Sequence, residues 1–400
     1  MLLELANTPR DYAWGSTTGI ADFLGAEPTG APEAELWLGT HPGSPARAIR
    51  AVPATDEEHT TLAEWIAAHP ELLGDALAPA GDLPILLKIL AAASPLSLQV
   101  HPTPEQARIG FAAEEAAGVA LDNPARNYKD PFPKPEIIVA VTERFSALCG
   151  FRPADEVAQL IDELGADDDA ATIPLREILA DPTRVADALD WLLSGADAVA
   201  PCVEAIVAHA ETSEAAGSPL ASTWQTVREI AHHYPGDAGV VVAMLMNRVD
   251  LRRGEGLFAP AGLLHAYLSG VGIELMTASD NVVRGGLTPK HIDTAELRAL
   301  LSFEQSYAQL LNPVHQGGHS VRYDASAPFS LTLVEPEGGT AEVALEGPSI
   351  VLVESASLTI ESDAGSLELP QGGSAFVDAT TATLSVTGGG RLWIATALAG

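Results

Sequence analysis

A glutamine and a histidine stand two positions apart in an apolar run over residues 96–102, as Gln99 and His101. Residues i and i+2 of a strand point to the same face, so this run would hold a carboxamide and an imidazole side by side, facing inward. Buried polar side chains are costly unless a partner satisfies them. A metal ion would satisfy both side chains, provided that the chain supplies further ligands.

Two more side chains have the type and the placement of metal ligands. Glu136 stands at the mouth of a β-branched strand, directly after Lys134 and a proline, where a charged acid is costly unless it is paired or ligating. His265 follows a Pro-Ala-Gly turn, which we interpret as a hairpin that directs the imidazole inward. Two histidines, a carboxylate and an amide oxygen suit a borderline ion such as zinc, and a catalytic site keeps one position for water or substrate. A single inward histidine is more often a hydrogen-bonded core residue, so only the joint occurrence of the four indicates a site.

Positive charge is scarce in this chain and lies near the candidate ligands. The 400 residues carry 21 Lys and Arg against 54 Asp and Glu, a net charge of −33. The four lysines are Lys88, Lys129, Lys134 and Lys290, each in or beside a stretch with candidate site residues, and Arg284 shares a polar, Gly-rich loop with Lys290. If these cations share a site, they form a local positive pocket suited to a small anionic substrate such as a phosphate ester. The alternative is a set of ion pairs with the abundant acids.

The composition argues against several classes of protein. The net charge of −33 disfavours nucleic acid and anionic membrane as partners. The sequence has no window of about 18 uncharged apolar residues, and residues 1–7 lack the basic region of a signal peptide, so we expect a cytoplasmic protein. Two cysteines, Cys149 and Cys202, form no disulfide framework and fit a reducing compartment. The sequence also lacks a Gly-x-Ser-x-Gly elbow, a P-loop, a dinucleotide-binding glycine motif after a strand and a Cys-x-x-Cys pair.

Short strands and turns predominate outside one helical segment. Residues 153–233 change to a helical period, with helices over 174–180, 183–194, 200–212 and 219–233, and are interpreted as an all-helical insertion. A helix is also predicted from Pro104 through Ala116, and a strand over 239–246. From about residue 320, short alternating strands between Gly-rich turns indicate a sandwich or barrel. These predicted strands are 329–334, 342–345, 350–354, 358–361, 366–369, 375–377, 383–386 and 392–396.

Six motifs together resemble the type I mannose-6-phosphate isomerase (phosphomannose isomerase) family. The resemblance runs in order from about residue 5 to 300. Its Gln-x-His, Lys-Pro-Glu and Ser-Asp-Asn-x-x-Arg-Gly-Gly elements are hard to obtain together by chance. The motifs are Tyr12-Ala-Trp-Gly-Ser16, Glu35-Leu-Trp-Leu-Gly-Thr-His41, Leu96-Ser-Leu-Gln-Val-His-Pro102, Lys134-Pro-Glu136, Pro260-Ala-Gly-Leu-Leu-His-Ala-Tyr267 and Ser279-Asp-Asn-Val-Val-Arg-Gly-Gly-Leu-Thr-Pro-Lys290.

The resemblance implies a mainly β fold in three parts. A cupin (jelly-roll) catalytic core would comprise residues 1–152 and 234–310, the helical insertion 153–233, and a second, jelly-roll-like β domain 311–400. One zinc ion per chain would be held by Gln99, His101, Glu136 and His265. Arg284 would be catalytic, and Ser97 and Lys88 match positions associated with phosphate binding. The remaining positions that match the substrate pocket are Lys134, Tyr267, Glu274, Asp280 and Lys290.

The family interconverts mannose 6-phosphate and fructose 6-phosphate through a cis-enediol, so the resemblance implies a small sugar phosphate as substrate. We expect a monomer. A developing enediolate needs positive charge near its oxygens, which zinc or Arg284 can supply. The sequence leaves the proton-transferring group open among Glu274, Asp280, His41 and a zinc-bound water. The alternatives are a non-catalytic sugar-phosphate-binding cupin and an iron-dependent cupin oxygenase, although a glutamine ligand and the cations argue against the oxygenase.

Overall fold

The computed structural model describes residues 1–57, 59–166, 169–213, 218–303, 309–317 and 319–399. The described helices are α1 (Gly19–Leu24), α2 (Leu62–Ala68), α3 (Pro104–Ala116), α4 (Ala154–Ala166), α5 (Ile173–Ile178), α6 (Val185–Leu192), α7 (Val199–Ser213), α8 (Ala221–His233), α9 (Gly239–Met244) and α10 (Thr294–Leu300). Short 3₁₀ helices occupy Pro70–Leu73, Ala78–Ala80 and Ala170–Thr172. Among the described residues no helix is long and apolar enough to cross a membrane.

The strands form two large antiparallel sheets and one small sheet. Those before residue 152 are β1 (Leu2–Ala6), β2 (Glu35–Leu38), β3 (Arg47–Val52), β4 (Ile85–Ala92), β5 (Leu98–Val100), β6 (Glu136–Ala140) and β7 (Arg144–Phe151). The next five are β8 (Met246–Arg252), β9 (Gly256–Ala259), β10 (His265–Thr277), β11 (Val283–Gly286) and β12 (Gln309–Leu311). The last ten are β13 (Val314–His315), β14 (Ser320–Asp324), β15 (Phe329–Val334), β16 (Thr340–Ala344), β17 (Ser349–Ser355), β18 (Leu358–Ser362), β19 (Gly365–Leu369), β20 (Ser374–Val377), β21 (Thr383–Gly388) and β22 (Arg391–Ala397).

The long strand β10 is the centre of the ten-stranded sheet. Its first half pairs antiparallel with β5 and β7, and its second half with β4 and β6. The partners change at Gly270, where φ is 116° and a Cβ atom would lie 2.8 Å from the carbonyl oxygen of Arg144. Glycine is therefore required at this bend. One bent strand thus joins two groups of strands around a common interior, in the manner of a cupin core.

Side chains alternate between two cores along the strands of this sheet, as the period of two requires. On β6, Ile138 packs into the common interior together with Tyr267 of β10. Its neighbours Ile137 and Val139 point the other way and pack with Trp393 in the layer shared with the eight-stranded sheet. The interior that receives Ile138 is also where the candidate ligands lie.

The helical segment covers the outer face of β5. The part of 153–233 that the structure describes forms α4 to α8 and no strand, so the four helices predicted over 174–233 are confirmed to within a few residues. Leu98 and Val100 of β5 pack in one core with helical residues such as Leu160 and Trp224. The helices thereby support the strand that carries Gln99 from behind.

The strand predicted over 239–246 is wrong, because residues Gly239–Met244 form α9 and β8 begins only at Met246. All six residues of α9 are buried, and an apolar run that is buried on every side shows no period that could separate helix from strand. The Gly239 amide donates to Asp237 Oδ1 at 2.7 Å, which satisfies one free N–H at the helix start. A Cβ atom on Gly239 would lie 3.0 Å from Gly286 Cα, so the helix packs tightly on β11.

The hairpin predicted before His265 also differs from the structure. The turn after Pro260 is present, but β9 pairs with β6 and β12, whereas β10 pairs with β4, β5, β6 and β7. Strand β6 therefore lies between β9 and β10, which enter the sheet as non-adjacent strands. The inward direction of His265 comes from its place on β10, where it is fully buried.

The eight strands predicted after residue 320 are confirmed, in a sandwich of the eight-stranded sheet and the four-stranded sheet β16-β21-β18-β19. The larger sheet has the order β13-β14-β15-β22-β17-β20-β1-β3. Strands β1 and β3, from the first 52 residues, thus extend the sheet of the last 90 residues. The predicted domain boundary between residues 310 and 311 stays a prediction. The pairing shows that strands from both sides of this boundary share one sheet.

Candidate metal centre and its surroundings

Neighbouring strands bring the four predicted ligands together. Gln99 on β5 lies directly opposite His265 on β10, while Glu136 begins β6 and His101 follows β5 by one residue. His101 and His265 are 0% exposed and Glu136 is 1% exposed. The ligand atoms of His101, Glu136 and His265 all lie within 4.8 Å of one another. These three side chains form the only fully buried group of metal-ligand type among the described residues.

The carboxylate of Glu136 lies between the two imidazoles. His265 Nε2 is 2.8 Å from Glu136 Oε1, and His101 Nε2 is 3.4 Å from Glu136 Oε2. The Nδ1 atom of each ring faces a backbone carbonyl, at 2.7 Å from Asn281 O for His101 and 3.0 Å from Leu263 O for His265. Because each Nδ1–H donates to a carbonyl, the neutral form of each ring carries its lone pair on Nε2, the nitrogen that faces a carboxylate oxygen.

Two lone pairs that face a carboxylate repel it unless a cation stands between them. Burial, with the charge on Lys134, lowers the pKa of His101 to about 4 despite the proximity of Glu136, so the ring is neutral at pH 7. Burial opposes ionisation of Glu136, yet the positive charge of Lys134 holds its pKa well below the usual range. His101 Nε2 is buried and has no hydrogen-bond partner among the described residues. An ionised carboxylate and an unpartnered neutral imidazole nitrogen are the donors that a zinc-type ion requires.

Gln99 lies at the edge of this group. Its carboxamide nitrogen is 3.4 Å from His265 Nε2. A half-turn of the carboxamide exchanges nitrogen and oxygen, which places an acceptor at the same position. The residue can therefore add an oxygen ligand to the two imidazoles and the carboxylate.

A loop contact that the sequence did not reveal holds the Asn281 carbonyl in place. Asp130 accepts hydrogen bonds from the Ser279 hydroxyl and the Asp280 amide, both at 2.8 Å. The Asn281 side chain, which is fully buried, donates to the Asp130 carbonyl at 2.7 Å and accepts from the Lys129 amide at 2.7 Å. We call this set the Asp130–Asn281 contact. It fixes the carbonyl that orients His101, so it supports a ligand without touching the ion position.

A buried network of charges adjoins the ligand set. Lys88 Nζ lies 2.9 Å from Glu274 Oε2 and 3.2 Å from Glu35 Oε1, and Glu35 also accepts from the Trp37 indole at 3.1 Å. Burial opposes the charge on Lys88, but the two glutamates overcome it and raise its pKa above the usual range for lysine. Burial raises the pKa of Glu274, although Lys88 opposes the rise. The sequence predicts Lys88 and Glu274 as pocket residues. It gives their partner Glu35 only as the first residue of the Glu35–His41 motif.

Two more predicted pocket residues touch Glu136. The Tyr267 hydroxyl donates to Glu136 Oε1 at 3.3 Å, and Lys134 Nζ lies 3.7 Å from Oε2. Burial, with the charges of Glu136 and Glu274, raises the pKa of Tyr267 far above the usual range. Tyr267 is therefore a permanent hydrogen-bond donor in the site, and Lys134 keeps the carboxylate ionised.

Asp280 forms a pair with His41 at the more open side of the loop. His41 Nε2 lies 3.1 Å from Asp280 Oδ2, and the Asp280 side chain is 52% exposed. His41 Nδ1 accepts from the Gly43 amide at 3.1 Å, so Nε2 carries the proton and donates to the carboxylate. Burial raises the pKa of Asp280, but the hydrogen bond from His41 and the positive charges of Lys134 and Lys88 together lower it below the ordinary value.

Arg284 and Lys290 differ from these cations because no carboxylate balances them within the described chain. Arg284 lies on β11 directly opposite Gln99. Burial lowers the pKa of Arg284, and burial together with the Arg284 charge lowers that of Lys290, so the two cations lie close enough to repel.

Ser97, one residue before β5, is half-buried. Its hydroxyl has no hydrogen-bond partner in the described part of the chain. All twelve predicted site residues therefore lie on β4, β5, β6, β10, β11 or the segments next to them.

Comparison with known proteins places this arrangement among sugar-phosphate isomerases. Residues 2–154 match the family model of the phosphomannose isomerase type I catalytic domain. The mannose-6-phosphate isomerase of Escherichia coli (strain K12) is 37% identical over 397 residues, which covers 97% of this chain and 98% of that protein. The mannose-6-phosphate isomerase of Homo sapiens is 31% identical, with 94% of this chain and 93% of that protein covered. A crystal structure of a zinc-bound mannose 6-phosphate isomerase is 34% identical, superimposes with a TM-score of 0.89 and covers 99% of both chains.

Proposed function

This chain belongs to the type I mannose-6-phosphate isomerases, or phosphomannose isomerases, and on that premise we propose that it interconverts D-mannose 6-phosphate and D-fructose 6-phosphate through a cis-enediolate. We propose that Gln99, His101, Glu136 and His265 hold one zinc ion per chain. The observation that carries this proposal is the buried Glu136 carboxylate, which lies between the Nε2 atoms of His101 and His265, while the Nδ1 atom of each ring faces a backbone carbonyl. That arrangement is satisfied by a divalent ion with a preference for nitrogen and oxygen ligands.

The residues around the ligand set divide the remaining work among them. When bound, zinc would supply positive charge close to the oxygens of the enediolate. Arg284 lies opposite Gln99 and has no carboxylate partner among the described residues, and it is proposed to stabilise the same developing charge from the adjacent strand. Lys290 and Ser97 have no side-chain partner in the described chain and are proposed to bind the phosphate group. Lys88 is already balanced by two carboxylates, so we propose that it orients Glu274, while the phosphate contact that the resemblance implies for Lys88 stays a prediction.

Two acids near the ligand set could move the proton between C1 and C2, and they differ in environment. Glu274 is buried and bound to Lys88, whereas Asp280 is half exposed and held by His41. Glu274→Gln and Asp280→Asn are therefore compared for turnover and for uptake of solvent deuterium at C2. The variant that loses both activities by a similar factor, with zinc content unchanged, identifies the proton carrier. Equal activity of both variants and the parent would exclude both acids.

A coupled assay for fructose 6-phosphate, combined with metal analysis, tests the main proposal. We expect turnover in zinc-loaded protein, loss of turnover after chelation, and recovery when zinc is returned. His265→Ala removes one ligand and should lose both zinc and turnover. Absence of turnover in zinc-loaded protein that still binds the sugar phosphate would favour a non-catalytic binding protein. Bound iron with oxygen consumption would favour an oxygenase.

A further inference from the structure

A second group of metal-ligand type lies on the surface, at the connection between β3 and α2. Glu57, His59 and His69 offer one carboxylate oxygen and two imidazole nitrogens, all within 4.8 Å of one another. His69 Nε2 is 2.5 Å and His59 Nε2 is 3.4 Å from the same atom, Glu57 Oε2. We propose that Glu57, His59 and His69 form a second, solvent-accessible binding site for a borderline divalent transition metal such as Zn²⁺, separate from the buried ligand set.

The orientation of His69 supports this assignment. His69 Nδ1 lies 3.1 Å from Glu71 Oε1, so Nδ1–H donates to Glu71 and Nε2 faces Glu57 and His59. A carboxylate behind a ligating histidine is the usual outer partner in zinc sites, because it fixes the tautomer and raises the basicity of the ligand. The buried ligand set uses backbone carbonyls for the same purpose.

The backbone and the ring packing hold the two imidazoles in place. His69 is the C-cap of α2, and its amide donates to the Trp65 carbonyl at 2.9 Å. The ring of Trp65, which is buried, lies 4.9 Å from the His59 ring and 5.9 Å from the His69 ring, centroid to centroid. The Trp65 ring therefore holds both imidazoles beside Glu57, so that little conformational entropy is lost when an ion binds.

The surroundings allow an ion to enter and favour a cation. Glu57, His59 and Trp65 line a surface cleft of about 640 Å³, which Arg47 and Arg50 also line. Arg50 is paired with Glu4 at 2.9 Å. With both imidazoles neutral, Glu57 and Glu71 leave a net negative charge at the cluster, in a chain whose overall charge is −33. Such a field raises the local concentration of divalent cations.

The competing arrangement is a proton in place of the metal. Hydrogen bonds to Glu57 and Glu71 raise the pKa of His69, so in acid the ring is protonated and its short contact to Glu57 is a charge-assisted hydrogen bond. A metal ion that binds here displaces the proton from His69 Nε2 and keeps the contact to Glu71. Binding is therefore measured in mildly alkaline buffer, which favours loss of that proton.

Equilibrium dialysis of the full chain against Zn²⁺, followed by metal analysis of the protein, tests the proposal. We expect two ions per chain in the parent and one in Glu57→Ala and in His69→Gln, with isomerase turnover kept in both variants. His315→Ala, which removes an exposed histidine from β13, serves as the matched control and should keep both ions. In the converse variant, His101→Ala, the buried ion should be lost and the surface ion kept, so failure at one site is distinguishable from failure at the other.

A second measurement covers the case in which a variant folds poorly. Free Zn²⁺ should raise the thermal midpoint of the zinc-loaded parent, since an ion that binds only the folded chain stabilises it by mass action. The rise should disappear in His69→Gln and persist in His315→Ala. A single ion per chain in the parent under saturating Zn²⁺, or a second ion that persists in both Glu57→Ala and His69→Gln, would overturn the proposal.

Discussion

Arg284, like Lys290, has no neutralising carboxylate in the described chain, and of the two it lies directly opposite Gln99. Replacing Arg284 by alanine removes a charge that we propose is directed at the substrate and leaves the predicted metal ligands intact. We expect Arg284→Ala to lower kcat by ~10²–10³. Zinc content should stay near one buried ion per chain.

The control for this variant is Arg298→Ala, which removes an exposed arginine that pairs with Asp190 and Asp187 on α6. Its kcat should equal that of the parent. Normal turnover in Arg284→Ala would contradict the role proposed for the guanidinium, and a loss of zinc would show that the residue acts on the ligand set instead.

Asp130 supports the predicted metal ligand His101 indirectly, through the loop that holds the Asn281 carbonyl. Asp130→Ala removes the acceptor for Ser279 and for the Asp280 amide, so the Asn281 carbonyl loses its fixed position beside His101. Outer partners of this kind typically change metal affinity by about 10–100-fold, and we expect a loss in that range. Competition with a chromogenic chelator measures it. Asp122→Ala, an exposed aspartate on the same connection, should retain the parent affinity, and equal affinities of the two variants would remove Asp130 from the site.

At the residue scale, the sequence identified the candidate site residues but not the residues that position them. The four predicted ligands are polar residues within or beside apolar strands, and the sequence alone shows such a contrast. They are Gln99, His101, Glu136 and His265. Asp130 and Glu35 act on partners far along the chain, 149 residues away for Ser279 and 53 for Lys88. Only the folded chain shows such pairs.

Strand β10 must bend at Gly270 to serve both halves of the ten-stranded sheet. Gly270→Ala would place a Cβ atom 2.8 Å from the Arg144 carbonyl oxygen and from Phe145 Cα, at a φ of 116°. Backbone strain of this kind typically costs ~1–3 kcal/mol, and the steric contact adds to it. Chemical denaturation should show a clear fall in the free energy of unfolding.

Gly81→Ala is the matched control for this bend. Gly81 also has a positive φ, 71°, but no atom lies within 4 Å of its Cβ position. Its cost should be limited to the backbone, roughly 1 kcal/mol. Equal costs at the two positions would show that the close contact with β7 does not matter for β10.

At the element scale, all eight strands predicted after residue 320 are present. Those of the four-stranded sheet alternate buried and exposed positions, for example Thr340–Ala344, whereas β17, β20 and β22 are buried almost throughout and were predicted from the Gly-rich turns that separate them. Helix α3 has its predicted bounds, which rested on the favourable first-turn position of Pro104. In the structure a capping box of Thr103 and Gln106 fixes the same helix start. The run that forms α9 has no exposed position, so its β-branched residues favoured a strand and only tertiary packing decides for a helix.

The eight-stranded sheet and the cupin core meet at Tyr323, whose hydroxyl on β14 donates to the Gly254 carbonyl at 2.8 Å. Burial raises the pKa of Tyr323 to about 12. Between the unfolded value near 10 and this value, the folded chain keeps a proton that the unfolded chain has lost. Stability contributed by Tyr323 is therefore complete below about pH 10 and is lost as pH rises toward 12.

Tyr323→Phe isolates this contribution from the other groups that titrate in alkali. The difference in free energy of unfolding between parent and variant should be constant from pH 7 to about pH 10 and should shrink above it. Urea denaturation at a series of pH values measures the difference. A difference that does not change with pH would mean that Tyr323 ionises in the folded chain as easily as in the unfolded chain.

At the scale of the whole molecule, the division into three predicted segments does not show which strands pair across the segments. The helical insertion and the C-terminal strands lie where the sequence placed them, but β1 and β3 belong to the same sheet as β20 and β22. A five-residue apolar run such as β1 does not by itself determine which strand it pairs with, because pairing depends on which sheet edge the rest of the fold leaves unpaired.

This pairing has a consequence for the order of events during synthesis. The Leu5 carbonyl accepts a hydrogen bond from the Ser374 hydroxyl, and the two residues are 369 positions apart. At a translation rate of about 5–20 residues per second, the ribosome needs roughly 20–75 s to reach that partner. During this interval Leu2, Leu3 and Leu5, all buried in the finished protein, lack β20 and so stay incompletely covered. The nascent chain is thus a natural client for chaperones that shield apolar segments until the last sheet closes.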